Sequence, residues 1–100
     1  MHEMSLVSCL MSILEDTRKK KKYITSFLAI NITINPYSCI NEESLNFAFS
    51  VMCRDNPVYS RARILVSRSG DPVSREFLLD SVEVEINEEG QNDTGGRKHL

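Results

Sequence analysis

A change of apolar period between Arg18 and Tyr23 constrains this chain more than any other feature. From Met4 to about Arg18, the residues Val7, Leu10, Met11 and Leu14 fall at i, i+3, i+4 and i+7, and Met4, Leu6 and Ile13 widen the stripe. That spacing gives a helix one apolar face. From Tyr23 to Ile34 the period becomes two. Phe27, Ala29, Ile30, Ile32 and Ile34 alternate with Asn31, Thr33 and Asn35, and only Leu28 blurs the start. β-Branched residues at period two make a strand with one buried face. Asn35-Pro36 ends it, because proline has no amide to give to a ladder.

The rest of the chain repeats these two themes. Asn41 is a candidate N-cap, with Glu42 and Glu43 in the first turn where the helix dipole favours acids. Leu45, Ala48, Phe49 and Met52 then follow helical spacing to about Cys53, and Phe47 and Phe49 are expected in the core. Ala62, Ile64 and Val66 alternate with Arg61, Arg63 and Ser67 as a strand. Ser69-Gly70-Asp71-Pro72 is turn chemistry. Leu78, Val82, Val84 and Ile86 make a third strand, and Glu83 and Glu85 form its acidic face. These two strands are expected to pair as an antiparallel hairpin, setting Arg61 and Arg63 opposite the acids. The connection through the second helix allows a parallel pair with the first strand.

The expected fold is α+β, with two helices packed on one face of a three-stranded mixed sheet, in the order helix-strand-helix-strand-strand. Residues 1–86 form the domain. Residues 87–100 lack apolar periodicity and read as a disordered C-terminal tail, with His99 in it as a possible further ligand. One hundred residues suffice for one two-layer core and leave little for a deep enclosed active site.

Charge and cysteine usage exclude several classes. A net charge of −2 argues against general nucleic-acid binding. The basic run Arg18 to Lys22 closes the first helix where cations suit the macrodipole, which explains it without an acidic partner. Cys9, Cys39 and Cys53 are an odd number at wide spacing, without the paired Cys-x-x-Cys of a structural zinc site. All three are expected as small core hydrophobes, and free thiols fit a reducing compartment. The N-terminus has Glu3 where a signal peptide needs a basic region, and no stretch approaches the ~18 apolar residues of a membrane span. A cytoplasmic protein is expected. No nucleophile with a base and no glycine-rich phosphate loop is present, so no enzymatic activity is expected.

Met1-His2-Glu3 carries the chemistry. The α-amine of Met1, the backbone nitrogens of His2 and Glu3, and the His2 imidazole lie within one turn of chain. A planar nitrogen-rich set suits Ni(II) or Cu(II). The plainer reading is a solvated histidine near a frayed end.

Met1-His2-Glu3-Met4-Ser5-Leu6-Val7 resembles the opening of the HypA/HybF family, the nickel-insertion accessory proteins of nickel-iron hydrogenase maturation. Ile34-Asn35-Pro36-Tyr37-Ser38-Cys39-Ile40 with Glu43-Ser44-Leu45-Asn46-Phe47-Ala48-Phe49 is similar to its strand, loop and second helix. Glu76 to Glu85 is similar to its closing strand. The resemblance implies that Met1, His2 and Glu3 form the metal site and that the cofactor is Ni(II). It implies a hydrogenase large-subunit precursor and a maturation GTPase as partners of a monomer or weak homodimer, with no nucleic acid and no membrane.

The family pattern departs at two places. The family usually has glycine where Asn35 stands. Asn tolerates a left-handed backbone, whereas the following proline favours an extended one. The family also carries a zinc module with two Cys-x-x-Cys pairs between its last two strands. The interval here, about Ser67 to Arg75, contains no cysteine, so zinc is not expected. Three functions remain open: nickel delivery, a nickel-blind adaptor that binds maturation partners, and an acidic-sheet interaction domain unrelated to hydrogenase.

Overall fold

The sheet is built on its longest strand. In a computed structural model, the described residues are 2–87 and, for the backbone, 97–99. The elements are α1 (Glu3–Lys20), β1 (Ile24–Ile34), α2 (Glu42–Met52), β2 (Arg63–Arg68), β3 (Phe77–Ile86) and β4 (Arg97–His99). The spatial order is β2-β1-β3-β4. β1 pairs parallel with β2, Ile30 against Ile64, and antiparallel with β3, Ile30 against Val82. The two helices and three mixed strands expected from the sequence are all present. Arg97–His99, expected in a disordered tail, adds a short antiparallel edge to β3, with His99 in register with Glu83. Residues 88–96 of that expected tail, Leu100 and Met1 lie outside the described residues.

The expected hairpin between the last two strands does not form, because β1 runs between them. The crossover β1-α2-β2 delivers β2 to one edge of β1 as a parallel strand. The outer edge of β2 is then occupied by α2. The Ile64 amide donates to Asn46 Oδ1, Asn46 Nδ2 donates back to the Ile64 carbonyl, and the Val66 amide donates to Glu42 Oε2, all at 2.8 Å. An edge satisfied in this way offers no ladder to β3. β3 takes the other edge of β1, and Ala29 sits between Arg63 and Glu83. Arg61 still reaches Glu85, while Arg63 turns to Glu42 at 3.8 Å.

The core lies between the sheet and the helices. Leu6, Val7, Leu10 and Leu14 of α1 and Leu45, Ala48 and Phe49 of α2 meet Ile30, Ile32, Ile34, Ile64, Val82 and Val84. Asn41 caps α2, its side chain accepting from the Ser44 amide at 2.8 Å. Two expectations on α2 fail. Phe49 is 2% exposed, but Phe47 is 70% exposed and Met52 also faces outward. Phe47 stands two positions from both Leu45 and Phe49, which puts it on the opposite face of the helix from their buried stripe, and Tyr59 from the following loop packs beside Phe49 instead. Tyr59 stacks on Phe27 with ring centroids 5.3 Å apart and meets Phe49 edge-on at 6.1 Å. Its hydroxyl donates to Glu15 on α1. Burial, then that bond, pushes the Tyr59 phenol well above its ordinary value. The same bond holds the Glu15 carboxyl below its ordinary range.

Candidate functional site

His2 stands at the head of α1. It occupies the N-cap position with φ −87° and ψ 158°, and its side chain makes no cap bond. The first closing bond of the helix runs from the Leu6 amide to the His2 carbonyl at 3.0 Å. A helix begun in this way leaves the N–H groups of its first turn without intrahelical acceptors. The Glu3 nitrogen is one of these. A metal that takes a main-chain nitrogen there costs the helix no hydrogen bond. Met1 lies outside the described residues, so its amine has no described position. His2 is exposed and Glu3 half-buried.

Beside His2 is an open cavity of about 460 Å³, lined by His2, Leu6, Asn35, Tyr37, Cys39 and Glu76 among others. Its far wall is the loop between β1 and α2, and polar bonds shape that loop. Asn35 Nδ2 donates to the carbonyls of Pro72 and Ser74 at 3.1 and 3.0 Å, tying the loop to the β2–β3 connection. Asn35 Oδ1 accepts from the Tyr37 amide at 2.8 Å, closing an Asx turn. These bonds give Asn35 a role that the family's usual glycine has no side chain to fill. Arg68, at the end of β2, crosses underneath. Its guanidinium donates to the carbonyls of Pro36 at 3.2 Å, Ser38 at 3.0 Å and Ile40 at 2.9 Å.

The three cysteines do not share one environment. Cys53 is buried as expected, its thiol against Met11 Sδ at 3.4 Å, and desolvation pushes that thiol up. Cys9 and Cys39 are exposed, against expectation. Cys9 lies on the outer side of α1, and Cys39 sits in a loop that carries no buried periodicity. Arg68 carries no period or motif that marks it from sequence, whereas Asn35 and Cys39 lie in the segment that resembles the family's loop. The one available signal was that Cys39 stands three residues past a strand-ending proline, outside both apolar stripes.

Among the described residues no three His, Cys, Asp or Glu side chains gather closely enough to hold a metal ion. Among the described residues no helix is long and apolar enough to cross a membrane.

Comparison with known proteins gives two findings. The family model described as "HypA: Hydrogenase/urease nickel incorporation, metallochaperone, hypA" matches residues 1–70. The chain is also similar to the solution structure of the Ni metallochaperone HypA from Helicobacter pylori, with a TM-score of 0.56 and 23% sequence identity. That likeness covers 69% of this chain and 58% of the other, so this chain spans less than two thirds of its relative's length. At that identity it shows the fold. No curated protein matches the chain.

Proposed function

Because this chain belongs to the HypA family of hydrogenase/urease nickel-incorporation metallochaperones, we propose that it binds Ni(II) through Met1, His2 and Glu3 and delivers the ion during nickel-iron hydrogenase maturation. Members of the family are metallochaperones, not catalysts. The observation that carries the reading is the exposed His2 at the start of α1, beside main-chain nitrogens that the helix does not use. Nickel is cargo here. The α-amine, the nitrogens of His2 and Glu3 and the imidazole supply a planar nitrogen set. Amide nitrogens bind only after losing their protons, so uptake releases protons and strengthens as pH rises. A site at an exposed chain end is easily dissociated, which suits handover. Recipients are the hydrogenase large-subunit precursor and a maturation GTPase, met in the cytoplasm by a monomer or weak homodimer. Zinc plays no part.

Calorimetric nickel titration of three proteins tests this. His2→Ala removes the imidazole. Two residues added before Met1 move the amine away. Both changes abolish tight binding, and stability shifts by less than about 0.5 kcal/mol, since neither touches the core. Full nickel affinity in either variant overturns the site.

The nickel-blind adaptor has one observation in its favour. The β2–β3 connection, between Arg68 and Phe77, is short and contains no cysteine. The family's zinc module, by resemblance, would lie in this connection. Capture of the hydrogenase precursor without any nickel uptake would favour this reading.

A further inference from the structure

We propose that α2 packs antiparallel against α2 of a second copy of this chain, about a two-fold axis between Phe47 and Ser50. The pairing gives a surface to the homodimer named above and does not depend on nickel.

Helical spacing sorts α2 into faces. Leu45, Ala48 and Phe49 are buried. Glu42 and Asn46 grip the edge of β2. Glu43, Phe47 and Ser50 stand at i, i+4 and i+7 on the face left over, with Val51 beside them. Arg54 follows at i+11, one residue past the C-cap. All five are exposed, Phe47 at 70% and Val51 at 43%. A phenylalanine this open keeps most of its ring in water, and covering that apolar area is favourable. Alternating steps of four and three residues are also the spacing of two helices packed side by side.

The stripe is complementary to itself. A two-fold contact sets residue i of one chain against residue j of the other, and j against i. With the axis between Phe47 and Ser50, each Phe47 meets Ser50 of the second copy, and each Glu43 meets Arg54 of the second copy. Ser50 is small enough to receive the ring. Its hydroxyl donates to the Phe47 carbonyl of its own helix at 2.8 Å, so the ring covers no unsatisfied donor. Among the described residues neither Glu43 nor Arg54 enters an ion pair, whereas the adjacent Glu42 is held by Arg63 and the Val66 amide. The acid stands at the head of the helix and the base just past its end. A parallel pairing sets like charges together, and an antiparallel one sets opposite charges together. Exposed ion pairs add little energy and chiefly fix the orientation, while the aromatic supplies the attraction. One helix stripe lies at the small end of protein interfaces, so the dimer forms only at high protein concentration.

The test is sedimentation equilibrium of the full chain, unmodified and as Phe47→Ala, Glu43→Lys and Arg54→Glu. The mean mass of the unmodified protein rises from one chain toward two as concentration increases. Phe47→Ala weakens association at least about tenfold, the usual loss for a central aromatic. Glu43→Lys and Arg54→Glu each weaken it, because each sets like charges together. An equimolar mixture of those two recovers it, because the exchanged charges then face their opposites. Recovery in the mixture also shows that both charge variants fold. None of these positions lines the cavity beside His2, so nickel uptake by all four proteins stays the same. A mass of one chain at every concentration, or association that Phe47→Ala leaves unchanged, overturns the α2 surface, gives the Phe47 face to a different protein and leaves the nickel site standing. Charge variants that associate as well as the unmodified protein, or a mixture that does not recover, overturn the antiparallel pairing.

Discussion

The two ends of α1 are held by different physics. Toward its C-terminus, Leu10 and Leu14 are fully buried, and Glu15 accepts the hydroxyl of a tyrosine stacked on Phe27. Toward its N-terminus, His2 has no cap bond and faces a loop held by Asn35 and Arg68 through hydrogen bonds that water can contest. Apolar packing has no competitor in solvent, whereas an exposed hydrogen bond only exchanges one partner for another. Leu6 and Val7 are buried as fully as Leu10 and Leu14, so packing fixes the axis of the helix along its length and only its cap rests on the polar loop.

The comparison breaks most severely at the packed end. Phe27→Ala removes the ring under Tyr59 and should destabilise the protein by about 3–5 kcal/mol, measured by urea unfolding. A loss below about 1 kcal/mol would mean that the aromatic stack does not anchor α1. At the polar end, Arg68→Ala should cost at most about 2 kcal/mol, because each bond it loses is partly replaced by water. Its signature is local. Hydrogen exchange should quicken at Tyr37 to Ile40 while amides between Leu10 and Leu14 stay protected. Equal loss of protection in both places would show that the ends are not independent.

The smallest effect sharpens the comparison. Tyr59→Phe keeps the stack and removes only the bond to Glu15. Glu15 is 41% exposed, so the cost at pH 7 belongs near the low end of the usual range, about 0.5 kcal/mol. The sign with pH follows from Glu15, whose folded-state pKa lies below its ordinary 4.5. The bond's contribution is present above that ordinary value and is lost as pH falls through the depressed one. Thermal unfolding of both proteins from pH 7 to pH 2 should show the gap closing in acid. A gap that widens in acid would contradict the assignment.

Much of this was legible in the sequence. The switch of period after Arg18 located α1 and β1, and Asn41 with its two glutamates located the start of α2, because local spacing and caps are decided by neighbouring residues. The donor set proposed at Met1, His2 and Glu3 is equally local, since its residues are consecutive. Pairing was not local. The alternation in β2 and β3 fits any partner, and only the side chains of Asn46 and Glu42, folded back from α2 onto the edge of β2, placed β1 between them. The outward Phe47 was legible in the helical spacing, two positions from Leu45 and Phe49, whereas Tyr59 entered the core from a loop with no period of its own. Cys39 was read as a core residue from its apolar neighbours. The shape of its loop beside His2 rests on Arg68, nearly thirty residues later, which gathers four carbonyls of the loop. Local spacing carries information over a few residues, whereas contacts between distant segments exist only once the chain has closed on itself.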